Sequence, residues 1–153
     1  MKKIRRKDRE ISAEQARRLL SEGEYGFLST VGADGKPYGV PLSYACIKGS
    51  IYFHCARAGH KIENIVHNPG VSFCVVGRTK VLPDKFATEY ESVIVSGTAH
   101  EVEGDEKLNA LLKLLEKYSR GFIEEGKRYI EQKDAATMVF RIDIESLTGK
   151  GRR

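Results

Sequence analysis

Two tight turns between β-type segments constrain this chain more than any other feature. Tyr25-Gly26-Phe27-Leu28-Ser29-Thr30-Val31 reads as a strand, and Ala33-Asp34-Gly35-Lys36-Pro37 follows it. Asp-Gly between two β-type runs is a strong hairpin signal, because the turn requires positive φ. A second strand runs from about Tyr38 to Ile47. Lys48-Gly49-Ser50 then turns into a third, Ile51 to Cys55. Turns this short leave no room for a crossover helix, so the three strands must be antiparallel.

The remaining pattern extends this core. Ser12-Ala13-Glu14-Gln15 matches a capping box and predicts a helix with Ala16, Leu19 and Leu20 inward, ended at Gly23. Gly59-His60-Lys61 opens a short helix, Ile62 to His67, stopped by Asn68-Pro69-Gly70. Val71 to Gly77 and Glu91 to Val102 have β-type composition. Leu108, Leu111, Leu112 and Leu115 follow helical spacing, and Gly121 to Lys133 forms a weaker helix. Thr137 to Ile144 closes with Met138, Phe140, Ile142 and Ile144 on one side. Regular βαβ alternation is absent, which argues against a doubly wound fold. About six strands with peripheral helices predict a small closed or split β-barrel, since closure removes exposed edges. The 153 residues suit one domain, 1–153, with residues 1–10 as a basic arm.

The net charge of +5 suggests a polyanion partner until it is divided along the chain. Residues 1–10 carry +4 and residues 150–153 carry +3, which leaves a body of −2. A basic binding face on the fold is therefore not expected, nor is nucleic-acid binding. No apolar run approaches the ~18 residues of a membrane span, and no signal peptide is visible, so a cytoplasmic protein is expected. Cys46, Cys55 and Cys74 form no C-x-x-C pair and are expected to be reduced, buried thiols.

The most informative chemistry lies where a strand ends at His54-Cys55 and Gly59-His60-Lys61 begins a helix. A helix start has unpaired N–H groups and a positive dipole end, and so favours phosphate. His60 and Lys61 add cations there; the alternative is a solvated surface lysine and a glycine that merely turns the chain. His54 alternates with Ile51 and Phe53 and is expected on the face opposite the core. A P-loop, a G-x-G-x-x-G after a strand and a G-x-S-x-G are all missing. The spacing of His54, His60, His67 and His100 matches no familiar metal motif, so no metal site is expected.

These segments together resemble the pyridoxamine 5′-phosphate oxidase-related FMN-binding split-barrel family, most closely its nitroimidazole-resistance (Nim) type. The resemblance runs through Arg5 to Ile11, Gly26-Phe27-Leu28-Ser29-Thr30 and Asp34 to Leu42. It continues through Phe53-His54-Cys55-Ala56, Gly59-His60-Lys61, Asn68 to Phe73 and Tyr90 to Gly97. It ends with Arg141-Ile142-Asp143-Ile144 and Thr148-Gly149-Lys150. It implies a mainly β (α+β) fold, a six-stranded antiparallel split β-barrel with peripheral helices, forming a homodimer with FMN at the interface. Val40, Pro41, Leu42 and Ser43 would run beside the flavin ring, with His54 and Cys55 on the next strand. His60 and Lys61 would grip the phosphate, and Ser92 would supply a polar ring contact. The resemblance further implies a nitroreductase-like, FMN-dependent oxidoreductase acting on a small molecule, with His54 as its catalytic residue and NAD(P)H or another electron donor. A non-enzymatic flavin- or haem-binding module is the alternative. Where the oxidase proper carries Arg, this chain has His60, whose charge depends on pH; FMN affinity is expected to fall as pH rises unless Lys61 compensates. The chain also lacks the Trp and closing Arg-Leu-x-Pro of the vitamin B6 oxidase, so pyridoxamine phosphate oxidation is not expected.

Overall fold

The computed structural model describes residues 2–153. Helix α1 (Ala13–Glu22) begins at the expected capping box: Ser12 Oγ accepts from the Gln15 N–H at 3.1 Å, and the Gln15 side chain accepts from the Ser12 N–H at 3.0 Å. Strands β1 (Gly26–Val31) and β2 (Pro37–Leu42) form the Asp-Gly hairpin. Strands β3 (Ala45–Ile47) and β4 (Ser50–Ala56) form the next hairpin. Helix α2 (His60–His67), β5 (Gly70–Leu82), β6 (Ala87–Val102), α3 (Gly104–Tyr118), α4 (Ile123–Lys133) and β7 (Thr137–Arg152) complete the chain. All strands join one antiparallel sheet in the order β2-β1-β5-β6-β7-β4-β3.

The segment expected as one strand, Tyr38 to Ile47, is therefore two, which raises the count from six to seven. Its halves lie at opposite edges of the sheet, yet only Ser43 and Tyr44 separate them. Three Cα–Cα steps span at most about 11 Å. The sheet must curl until its two edges nearly meet, and this forms the barrel. Tyr44 fixes the crossing. It is fully buried, its ring packs edge-on against Phe73 at 4.9 Å, and its hydroxyl donates to the Leu20 carbonyl. From α3, Lys117 Nζ donates to the Tyr44 carbonyl at 2.8 Å and lies 3.8 Å from the ring centre. The Tyr118 hydroxyl accepts from the Tyr44 N–H at 3.1 Å and donates to the Glu24 carbonyl at 2.5 Å.

Alternate residues of the strands fill the barrel, including Leu28, Ile51, Phe53, Phe73, Val75, Val93, Val95 and Ile142. Ala16 and Leu20 of α1 and Ile62 and Ile65 of α2 close it. A second cluster lies outside the barrel, where Ala110, Leu111 and Leu114 of α3 cover Ala45, Tyr52 and Val139. The inward stripe of α3 is thus Lys107, Ala110, Leu111 and Leu114, one position off the expected leucine stripe, and Leu108 is exposed. Glu106 sets this rotation by accepting from the Tyr52 hydroxyl and from Arg141, each at 2.7 Å. Lys107 reinforces it by donating to the Asp134 carbonyl at 2.9 Å.

The basic C-terminal end belongs to the sheet, and the N-terminal arm meets it at Glu10, which bridges to Lys150. Strand β7 continues past Ile144 to Arg152 and pairs with β6 as far as Tyr90↔Arg152. The Ile11 N–H donates to the Gly149 carbonyl at 3.1 Å, and Arg153 donates to Glu91. Beyond the barrel, β5 and β6 form a long hairpin arm whose tip carries Phe86, almost wholly exposed in the left-handed region. No helix among the described residues is long and apolar enough to cross a membrane.

Candidate flavin site

Helix α2 is held rigidly against the barrel. Ile62 and Ile65 are buried, and Asn64 Nδ2 donates to Thr30 Oγ1 of β1 at 3.0 Å. Its first turn, in contrast, is open. The residue before the helix is Gly59, at φ +151°, and no side chain caps the N–H groups. A Cβ at Gly59 would meet nothing within 4 Å, so the space beside this residue is free. His60 stacks on Tyr38 of β2, with ring centres 3.9 Å apart and planes inclined by 25°. Lys61 stands close enough to His54 and Cys55 for its charge to act on both.

Strand β4 alternates its faces as expected, but not its burial. Ile51, Tyr52 and Phe53 are all buried, because the barrel fills one face and α3 covers the other. His54 shares the α3-side face with Tyr52 and emerges just beyond the covering helix, at the mouth of a cleft. The cleft holds about 340 Å³ between β4, α3 and α4 and is lined by Ser43, Leu111, Leu115, Tyr129 and Lys133 among others. Loss of solvation there, and secondarily the Lys61 charge, hold the His54 imidazole below its ordinary pKa. At neutral pH this favours the uncharged ring, which donates one hydrogen bond and accepts one.

The structure brings together Ser43, His54, Cys55 and Lys61, with His60 joined to β2 through Tyr38. Val40 and Leu42 turn partly inward onto the barrel core, and Pro41 faces out. Ser92 lies apart. Its cross-strand neighbours are Val76 and Lys150, and it sits ten residues along β6 from Val102, which lies in register with Val139, the partner of His54. That is roughly 33 Å along the strand. Sequence reasoning missed Tyr38 and the α3–α4 cleft wall, since neither a stacking partner far upstream nor a helix packed from downstream leaves a local signal. The three cysteines are half-buried and free, and burial raises each thiol, Cys46 to about 11. They are accordingly poor nucleophiles. A larger groove of about 650 Å³ runs between α1, the β3–β4 turn and β7, and includes Ser43, His54 or Lys61 nowhere in its lining.

The fold and the open helix start define a split-barrel protein of the pyridoxamine 5′-phosphate oxidase-like class. The family model described as pyridoxamine 5′-phosphate oxidase matches residues 12–151, and the chain belongs to that family. Comparison with curated proteins finds no match. Among solved structures, a conserved hypothetical protein from Mycobacterium tuberculosis is similar at a TM-score of 0.83 and 24% identity, over 99% of this chain and 91% of that one. The FAD and haem binding protein from Mycobacterium smegmatis aligns at 0.80 and 18%, over 93% and 72%. A candidate 5-nitroimidazole antibiotic resistance protein from Bacteroides thetaiotaomicron aligns at 0.73 and 20%, over 92% and 85%. At these identities the likenesses establish the fold.

Proposed function

We propose that the chain is an FMN-binding oxidoreductase of the nitroimidazole-reductase type, which reduces a small-molecule acceptor such as a nitro compound. The observation that carries this reading is the uncapped start of α2 beside Lys61, within electrostatic reach of His54. Uncapped N–H groups, the positive end of the helix dipole and one lysine suit a phosphate dianion. The residues present fit FMN: His60 and Lys61 would hold the phosphate, while Val40, Pro41, Leu42, Ser43, His54 and Cys55 would border the ring. When bound, FMN supplies the redox chemistry. The protein's own part is to orient the ring, exclude water through the α3–α4 wall, and present neutral His54 as a hydrogen-bond donor to the acceptor.

The reading includes a homodimer. The outer face of β2-β1-β5-β6 exposes a row in register, Pro41–Phe27–Cys74–Ile94, beside Gly39–Ser29–Ser72–Ser96. Tyr25, Phe27, Val76 and Ile94 are exposed there. A face of apolar and small residues lets two sheets approach closely. Ser92 lies on this face, so a second copy is the route by which it would reach a flavin held at α2.

Purified protein saturated with FMN should be reduced by NADPH or NADH under anaerobic conditions and reoxidised by a nitroaromatic acceptor, as followed by flavin absorbance. Bound FMN that neither nicotinamide nor dithionite-reduced turnover links to an acceptor would favour a non-catalytic flavin module. A Soret band on haem addition, with no flavin bound, would favour a haem module; the Mycobacterium smegmatis neighbour, by its description, binds both FAD and haem.

A further inference from the structure

We propose that the cleft between β4, α3 and α4 selects a flat, mostly apolar molecule bearing one carboxylate, with Lys133 as its counter-charge. This rests on the electron-acceptor reading above and gives the acceptor's chemical class. The walls are Leu111, Leu114, Leu115 and Ile130, and no Asp or Glu lines them. The volume, about 340 Å³, lies at the small end of ligand pockets and suits one ring system.

Lys133 is the one charged residue in that lining. Among the described residues its ammonium has no hydrogen-bond or ion-pair partner, whereas the next residue, Asp134, is already paired with Lys107 at 3.1 Å. The stem of Lys133 starts from a fixed point, because its carbonyl accepts from Thr137 Oγ1 at 2.8 Å. Lys61, the other cation near the cleft, serves the phosphate in the reading above. A ligand in the cleft therefore meets one cation, Lys133, together with the His54 imidazole and the Ser43 hydroxyl. An acidic substituent is favoured at Lys133, and a hydrogen-bond-accepting reducible group such as nitro at His54 and Ser43.

Isothermal titration of the full chain, with and without FMN, using 4-nitrobenzoate and its neutral analogue 4-nitrotoluene, tests this directly. The carboxylate should bind about tenfold more tightly, the worth of one charge-assisted hydrogen bond. Lys133→Gln should abolish that preference and leave the affinity for 4-nitrotoluene unchanged, while Lys133→Arg should retain it. Equal affinities in the parent chain, a preference that survives Lys133→Gln, or binding of neither probe would overturn the proposal. Lys133-dependent binding in the flavin-free chain, combined with failure to bind FMN, would remove the flavin reading alone.

Discussion

At the residue scale, His54 is where environment and chemistry meet most closely. Its pKa is depressed in the folded chain, first by lost solvation and then by Lys61. The unfolded chain therefore binds a proton more readily than the folded one as the pH falls through about 6.5. The stability contributed by neutral His54 is complete above that value and is lost as the pH falls toward the folded pKa. A proton NMR titration should place the His54 midpoint below that of an unstructured histidine, and His54→Gln should flatten the acid limb of stability below about pH 6.5. A midpoint at or above the ordinary value would show that Lys61 and the cleft do not act on the ring. The sequence pointed to His54 and to its face opposite Ile51 and Phe53, but that a helix covers this face up to His54 was not legible. Strict alternation assumes one solvated face, and here α3 buries Tyr52 on that face just before His54 emerges.

At the element scale, locally coded features were legible and features coded by distant contacts were not. The capping box of α1, the Asp-Gly hairpin and the opening of α2 all follow from residues within a few positions of one another. Ser12→Ala removes one half of the capping box and should lower stability by about 1 kcal/mol, read from a urea melt at unchanged slope. A loss under a few tenths would mean that the tertiary packing of Ala16 and Leu20 holds α1 without its cap. The break at Ser43-Tyr44 was not legible, because Pro41-Leu42-Ser43-Tyr44-Ala45 has no Gly, Asn or Asp to place a turn, and Pro41 alone marks only an edge strand. It exists because Leu20, Lys117 and Tyr118 hold Tyr44 from two distant helices. The polar arm between Arg78 and Glu89 carried no hydrophobic alternation, yet its backbone pairs from Thr79↔Tyr90 to Leu82↔Ala87. The rotated stripe of α3 has the same origin: leucines occur on several faces, and Tyr52, Arg141 and Asp134 choose among them.

At the scale of the whole molecule, curling brings the sheet's edges together at Ser43-Tyr44, next to the end of β4 at His54. One event thus closes the fold and assembles the site. The charge of the C-terminal end gains a structural meaning as well, since Lys150 and Arg152 pair along β6, Lys150 also bridges to Glu10, and Arg153 meets Glu91. The exposed outer sheet face is where the proposed second copy would dock. Sedimentation equilibrium should show a dimer, and Ile94→Asp, which sets a charge at the β6 end of the Pro41–Phe27–Cys74–Ile94 row, should shift it to monomer with little change in circular dichroism. A chain that is monomeric throughout would remove the homodimer and, with it, the route by which Ser92 meets the flavin.

The central claim is that the start of α2 binds the phosphate of a flavin nucleotide. Equilibrium titration of the full chain with FMN and with riboflavin, followed by quenching of flavin fluorescence, isolates the contribution of that phosphate. FMN should bind more tightly by at least about tenfold, and Lys61→Gln should erase most of the gap while riboflavin affinity stays the same. Equal affinity for the two flavins, or a gap untouched by Lys61→Gln, would contradict the claim.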